Sequence, residues 1–101
     1  MTRFSLITPP DVSRTLADRI RELRLAKNWK QKTLAERSGV SEGSLKRFEQ
    51  TGRISLESFL QLAFTLDRLD EINELLKPPP ARSIKELEEM ERKKVRKRGA
   101  V

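Results

Sequence analysis

The sequence predicts an all-α protein, a compact domain of five helices followed by a basic C-terminal tail. Apolar residues recur three or four positions apart in five successive segments, which is the spacing of one helix face. Thr8, Gly39, Ser41 and Ser55 stand at boundaries between segments, where caps and turns are needed. Three prolines at residues 78–80 end the pattern. The total of 101 residues suits a single domain with short extensions.

The first helix is predicted over residues 13–27, with Leu16, Ile20 and Leu23 on one face. The segment before it, Thr8-Pro9-Pro10-Asp11, has the composition of a helix start: a hydroxyl cap, first-turn prolines and an acid. Residues 3–7 partly alternate polar and apolar side chains and could form a short strand. We therefore assign residues 1–12 to an N-terminal arm and residues 13–77 to the domain.

Four more helices are expected: residues 31–38, residues 42–50, a helix capped by Ser55, and residues 69–76. Their predicted core residues are Leu34, Ala35, Leu45 and Phe48, with a stripe of Leu56, Phe59, Leu60, Ala63 and Phe64 on the fourth helix. Trp29 is expected to pack at the junction of the first two helices, and Glu49 to pair with an arginine. Leu62, Leu66 and Leu69 are expected to remain available for a dimer face.

Residues 78–101 are predicted to be a proline linker and a basic tail that is disordered in the absence of a partner and becomes helical on binding one. Residues 83–86 match a capping box, and six of the seven residues from 92 to 98 are basic. The four apolar residues Ile84, Leu87, Met90 and Val95 leave this segment little surface to bury.

The composition excludes several kinds of site. The chain has no cysteine, so it has no disulfide, thiolate zinc site or cysteine nucleophile. It also has no histidine, which is the commonest general base and metal ligand. We therefore predict that it is not an enzyme and that it needs no cofactor and no metal. No apolar run of about 18 residues and no secretion signal at residues 1–10 is present, so we expect a cytoplasmic protein.

The net charge of +7 favours a polyanionic partner, either nucleic acid or an acidic membrane surface. Residues 13–53 hold eleven basic and five acidic residues, whereas residues 54–77 hold two basic and five acidic ones. Residues 81–101 are again basic, with eight basic and four acidic residues. A basic front with an acidic rear is typical of a module that docks one face on phosphate, although chance clustering gives the same counts. Membrane attachment through residues 92–98 is the less favoured reading, because no bulky apolar anchor lies beside them.

The second and third helices and the three residues between them meet the requirements of a helix-turn-helix. Two such helices cross at roughly 90–120°, so that one lies over the DNA backbone while the other enters the major groove. This needs small residues at the crossing, a turn glycine and apolar contacts behind the exposed face. Ala35, Gly39, Val40 and Leu45 supply these in order.

Three segments carry a resemblance to a known family: residues 20–24 (Ile-Arg-Glu-Leu-Arg), 31–41 (Gln-Lys-Thr-Leu-Ala-Glu-Arg-Ser-Gly-Val-Ser) and 45–49 (Leu-Lys-Arg-Phe-Glu). Together they closely resemble the phage-repressor-like (XRE or Cro/C1-type) helix-turn-helix family, over about residues 13–76. The resemblance implies a lambda-repressor-like fold. One departure is that Glu49-Gln50-Thr51-Gly52 contains one residue more than the Glu-x-Gly usual in the family.

The resemblance also implies roles for individual residues. It implies base contacts from Glu42, Gly43 and Arg47, and phosphate contacts from Gln31, Lys32, Ser44, Lys46 and Arg53. Chemistry supports two of these independently: an arginine can bind guanine O6 and N7 with two hydrogen bonds, and a glutamate can accept from cytosine N4. The alternatives are a solvated Arg47, a Glu42 that only favours the helix N-terminus, and a Gln31 that only caps its helix.

Members of this family usually bind DNA as dimers, so the resemblance implies a homodimer on an inverted repeat with half-sites about 34–36 Å apart. The fifth helix or the N-terminal strand could form the dimer surface. The resemblance implies a transcriptional regulator, a repressor, at an operator on the bacterial nucleoid.

Residues 47–58 and 80–87 further resemble the HipB-like branch, antitoxins encoded beside HipA-type kinase toxins. This implies autoregulation of a toxin–antitoxin operon and binding to the toxin. Two alternatives stay open: a stand-alone or phage-type repressor, and a protein-interaction module that has lost DNA binding.

Overall fold

The computed structural model describes residues 7–80 and 84–99, which contain six helices. These are α1 (Pro9–Ala26), α2 (Gln31–Ser38), α3 (Glu42–Thr51), α4 (Leu56–Thr65), α5 (Leu69–Asn73) and α6 (Ile84–Gly99). No strand occurs in those two ranges, so the predicted all-α fold is confirmed. Of the possible strand at residues 3–7, residues 3–6 lie outside the described ranges, and Ile7 has no regular structure.

Local sequence signals define the helix starts. The Thr8 hydroxyl accepts a hydrogen bond from the Asp11 amide, and the Asp11 carboxylate accepts one from the Thr8 amide, which makes a capping box. Because Pro9 and Pro10 are suited to the first turn, α1 begins four residues before the predicted domain boundary at residue 13. Ser41 and Ser55 cap α3 and α4 through hydrogen bonds from amides three residues on, as predicted.

A residue with left-handed backbone conformation follows each of the first five helices, at Asn28, Gly39, Gly52, Asp67 and Leu76. Gly39 ends α2 with φ +79°, as predicted, and Gly52 ends α3 with φ +80°. The fifth helix was predicted to reach residue 76 but ends at Asn73. Leu76 adopts φ +59°, which a right-handed helix cannot contain.

The core lies where α2 packs against both α3 and α4, while α1 covers α3 and α5 covers α4. Leu34, Leu45 and Leu62 are fully buried, and Phe48 is 2% exposed. The Phe48 ring meets the Phe59 ring edge to face, with centroids 5.9 Å apart. The predicted core residues of α2 and α3 are therefore confirmed.

Helix α4 carries two apolar stripes, and the predicted core stripe contained residues of both. Ala63 is buried and Phe59 packs against the core, as predicted. Leu62 and Leu66, expected to be free for a dimer, are buried at 0% and 3% exposure. Leu56 and Phe64, expected in the core, are 70% and 64% exposed. Residues 59, 62, 63 and 66 form the face toward the core, whereas residues 56, 60 and 64 repeat every four positions on the adjacent face.

A buried ion pair joins the first and third helices. The Arg24 guanidinium donates through Nε and Nη2 to the two carboxylate oxygens of Glu49, both at 2.9 Å, and through Nη1 to the Trp29 carbonyl. The two side chains are 8% and 4% exposed. The prediction that Glu49 pairs with an arginine is confirmed, and the pair fixes α1 against the end of α3.

Trp29 lies at the junction of α1 and α2, as predicted, and is packed against the core. Two cations lie over its ring. Lys27 Nζ is 5.3 Å from the ring centroid, and the Arg37 guanidinium carbon is 4.7 Å from it.

Within the predicted tail, residues 84–99 form α6, the helical state that the prediction expected on a partner. Its residues are strong helix formers, and its acidic start and basic end complement the helix dipole. Ser83, the predicted cap, lies outside the described residues. None of the helices within the described part of the chain is long and apolar enough to cross a membrane.

Candidate nucleic-acid interface

Helix α3 presents one face to the core and the opposite face to solvent. Leu45 and Phe48 are buried on the inner side, and the Arg24–Glu49 pair anchors its last turn. Gly43, Arg47 and Gln50 are exposed and share the outer face, at spacings of four and three residues. A helix whose inner face is fixed in the core and whose outer face is exposed to solvent has the geometry needed to enter a major groove.

Arg47 is exposed, and its guanidinium has no ion pair or hydrogen bond among the residues that the structure describes. Its backbone carbonyl is used, since it accepts a hydrogen bond from the Thr51 hydroxyl at 2.7 Å. The free side chain retains all five donors for a base edge or a phosphate.

Arg47 and Arg53 lie on the rim of one open pocket of about 340 Å³ between α3 and the start of α4. Its lining consists of Ser44, Arg47, Arg53, Ile54, Ser55 and Ser58. Two arginines and three serines line this concave surface, which is suited to an anionic ligand such as a phosphate, while the Ser55 hydroxyl also accepts from the Ser58 amide. The structure thus brings together three of the predicted contact residues, Ser44, Arg47 and Arg53.

Glu42 and Lys46 are engaged with each other. Lys46 Nζ lies 3.5 Å from Glu42 Oε2, one turn apart on α3, and both side chains are partly exposed. A pair of this kind contributes only about 0.3–0.5 kcal/mol. It is therefore weak enough to open when a base or a phosphate competes for either partner.

Gln31 opens α2, and its amide nitrogen donates to Glu49 Oε1 at 3.0 Å. This bond orients the Gln31 side chain. The side-chain oxygen Oε1 and the backbone amide of Gln31 remain available to bind a ligand. Helix α2 has no side-chain cap, unlike α1, α3 and α4. The first amides of α2 therefore lack a partner within the helix, as in helix N-termini that bind anions. Lys32, the next residue, is exposed.

Gly43 has open space around it. A Cβ built there meets no atom within 4 Å, and its backbone is helical. No neighbour in the described part of the chain requires glycine at this position, so its small size leaves room for a close approach from outside.

Sequence reasoning missed Gln50, Ser55 and Ser58. Gln50 lies seven residues after Gly43, and this spacing alone would have placed it on the outer face of α3. Ser55 was predicted as a cap, but its position beside Arg47 depends on how α4 follows the loop. No local sequence pattern indicated that Ser58 lies in the pocket beside Arg47. Within the described ranges, no group of three or more acidic side chains could hold a metal ion.

A family model described as a helix-turn-helix domain matches residues 15–72, more than half of the chain. The chain therefore belongs to the helix-turn-helix domain family, and the geometry of α2 and α3 agrees with that membership. No curated protein matches the sequence. The fold is lambda-repressor-like, the domain is of a DNA-binding class, and families of this kind are typically non-enzymatic.

Proposed function

We propose that this protein is a sequence-specific transcriptional regulator, a repressor, which places α3 in the major groove of an operator. The observation that carries the proposal is the free guanidinium of Arg47 on the outer face of a helix whose inner face is fixed in the core. Arg47 contacts a guanine, where a bidentate bond is worth about 1–3 kcal/mol of discrimination. Glu42 and Gly43 are the other base contacts.

Phosphate contacts flank the base contacts on both sides. Gln31 and Lys32 bind a phosphate at the uncapped start of α2, with Gln31 oriented by Glu49. Ser44, Lys46 and Arg53 bind the next phosphates, supported by the pocket that Ser44, Arg47 and Arg53 share. These contacts set the position of α3 on the duplex, and the base contacts set the sequence.

Replacing Arg47 tests this proposal. Oligonucleotide selection with the wild-type protein identifies the preferred site, and Arg47→Ala should then lose preference at one base pair of each half-site, by about 1–3 kcal/mol. Arg19→Ala is the matched control, because Arg19 is exposed on the groove between α1 and α5. An equal loss on every sequence would make Arg47 a phosphate contact, and equal wild-type affinity for all duplexes would refute sequence-specific binding.

The protein acts as a homodimer on an inverted repeat, and we assign the dimer surface to the outer stripe of α4. Leu56, Leu60, Phe64 and Leu69 line one open apolar surface, on which Leu56 and Phe64 are 70% and 64% exposed. Exposed apolar patches of this kind mark interaction sites, and a twofold axis lets one patch cover its own copy. No residue of α5 is buried, and this helix contributes Leu69 to the proposed dimer surface.

Phe64→Glu should give a monomer in sedimentation velocity, with loss of cooperative binding to the inverted repeat and retention of weak half-site binding. Leu76→Glu is the matched control, because Leu76 is 98% exposed and lies outside this patch. A Phe64→Glu protein that remains a dimer would exclude the α4 surface. A wild-type protein that is monomeric and binds one half-site would exclude the dimer itself.

The operator controlled is that of a toxin–antitoxin pair, with this chain as the HipB-like antitoxin and a HipA-type kinase as its partner. The resemblance of residues 47–58 and 80–87 supports this assignment. Reading the adjacent gene and co-expressing its product provide the test. A kinase-like neighbour that co-purifies with the chain supports the antitoxin role, and any other neighbour supports a stand-alone repressor.

A further inference from the structure

Helix α6 has its charges separated along its length. Its first eight residues hold four acidic residues and one basic residue, and the next seven hold six basic residues and no acidic one. The acidic residues are Glu86, Glu88, Glu89 and Glu91, and the basic ones are Arg92, Lys93, Lys94, Arg96, Lys97 and Arg98. We call residues 92–98 the basic segment.

We propose that the basic segment of α6 is a second DNA contact, separate from the helix-turn-helix, which binds phosphates without reading sequence. Its charge density matches that of its ligand. Seven helical residues extend about 10 Å, at about 1.5 Å per residue. Duplex DNA carries one negative charge per about 1.7 Å, hence about six over the same length. Because the six basic residues are distributed around the helix axis, about three of them can face these phosphates at one time.

Nothing within the described residues neutralises the start of this segment. Arg92 and Lys93 are exposed, and neither lies within 4.0 Å of a carboxylate, although Glu88 and Glu89 precede them by one turn. Like charges one turn apart destabilise a helix by a few tenths of a kcal/mol per pair. A polyanion that binds the segment removes this repulsion.

The position of the apolar residues favours DNA over a membrane. Ile84 and Leu87 are 76% and 49% exposed, and both lie in the acidic half of α6. Stable attachment of a helix to an anionic bilayer combines basic residues with apolar side chains that insert beneath the bound headgroups. In α6 the carboxylates lie among Ile84, Leu87 and Met90 and would be repelled by lipid phosphates, and Val95 is the single apolar residue of the basic segment. DNA phosphates, in contrast, require only the basic segment.

The linker allows the basic segment to reach the duplex. The chain from Leu76 to Ile84 extends up to about 25 Å, and the acidic half of α6 adds about 12 Å. When α3 is docked, this tether holds the basic segment near the flanking DNA at a high effective concentration. The placement of the contact therefore rests on the proposed function, whereas its chemistry does not.

The test measures salt dependence on a 30-bp duplex of mixed sequence, with no operator needed. The full chain is compared with R92Q/K93Q/K94Q/R96Q/K97Q/R98Q and with the matched variant E86Q/E88Q/E89Q/E91Q. Glutamine is a good helix former, and circular dichroism verifies that the helix content is unchanged. For each phosphate contact that the basic-to-glutamine variant loses, the magnitude of the slope of log K against log salt should fall by about 0.9.

With three phosphates bound, the basic segment accounts for an affinity loss of about 40-fold between 50 and 200 mM salt, which the basic-to-glutamine variant should not show. The acidic-to-glutamine variant should bind at least as tightly as the wild type. Equal slopes for all three proteins overturn the proposal. So does a basic segment that binds phosphatidylglycerol vesicles but leaves the DNA slope unchanged.

Failure of this proposal can be distinguished from failure of the proposed function. Arg47→Ala with an intact tail should lose base preference and keep the contribution of the basic segment to the salt slope. If no sequence preference exists but the slope still falls in the basic-to-glutamine variant, the second contact stands alone. If preference exists and the slopes are equal, the helix-turn-helix is the sole DNA contact.

Discussion

Arg24 and Glu49 form a two-bond ion pair, 2.9 Å in each bond, between side chains that are nearly inaccessible to solvent. Glu49 also accepts a hydrogen bond from Gln31, and Arg24 donates to the Trp29 carbonyl. One carboxylate therefore joins α1, α2 and α3. Since Gln31 and Arg47 belong to two of these helices, the pair sets the distance between a phosphate contact and a base contact of the proposed interface.

Glu49→Gln should lower the free energy of unfolding by about 3–5 kcal/mol, because it leaves the Arg24 charge buried without a partner. Urea denaturation measures the change. Arg68→Gln is the control, because it breaks an exposed pair with Glu71 and should cost less than about 1 kcal/mol. Equal effects of the two substitutions would show that burial does not strengthen the inner pair. Arg24→Met combined with Glu49→Leu should be less destabilising than either single change.

Phe48→Ala should destabilise the domain by about 3–5 kcal/mol, because it removes a ring that is 2% exposed and in contact with Phe59. Phe64→Ala provides the comparison on an exposed ring of the same kind. At protein concentrations low enough to keep the chain monomeric, Phe64→Ala should change stability by less than about 0.5 kcal/mol. A Phe48→Ala protein as stable as the wild type would contradict the placement of α3 against the core.

Gly52→Ala should be more destabilising than Gly39→Ala, although both glycines have nearly the same positive φ. At Gly39 an added Cβ meets no atom within 4 Å, so the cost is the backbone strain of about 1–2 kcal/mol. At Gly52 the Cβ would lie 3.1 Å from backbone atoms of Ser13 and Arg14, which adds about 1–3 kcal/mol of overpacking. Thermal unfolding of both variants measures the difference, and equal melting temperatures would show that α1 is not close to Gly52.

Gly43→Ala should stabilise the protein by about 0.5 kcal/mol, because alanine restricts the unfolded chain and fits the helical backbone of α3. If DNA approaches closely at Gly43, the same change should lower affinity for the selected operator. Rising stability with falling affinity is the expected pair of results. A variant that unfolds more readily would mean that the space around Gly43 is occupied in the folded protein.

The sequence predicted those features whose partners lie within a few residues. The caps at Thr8, Ser41 and Ser55 and the turn at Gly39 were all predicted, because each depends on atoms one turn away. The inner face of α3 was also predicted, since Leu45 and Phe48 are its only apolar residues.

Features that depend on distant neighbours were not predicted. Helix α4 has two apolar stripes of similar size. Which of them is buried depends on where α2 packs against α4, and in the folded domain Leu62 is buried and Phe64 is exposed. The hydrogen bond from Gln31 to Glu49 joins residues 18 positions apart and requires the folded domain. The pocket beside Arg47 depends in the same way on the path of the loop into α4.

Trp29 is the only tryptophan in the chain, and at the junction of α1 and α2 its ring contacts two cations. Its ultraviolet emission therefore originates from a single known location, and no dye or engineered label is needed to observe it. Because its carbonyl accepts from Arg24, any rearrangement of the buried pair alters the surroundings of the indole. Emission wavelength and iodide quenching would thus monitor this junction during titration with duplex, on the native chain.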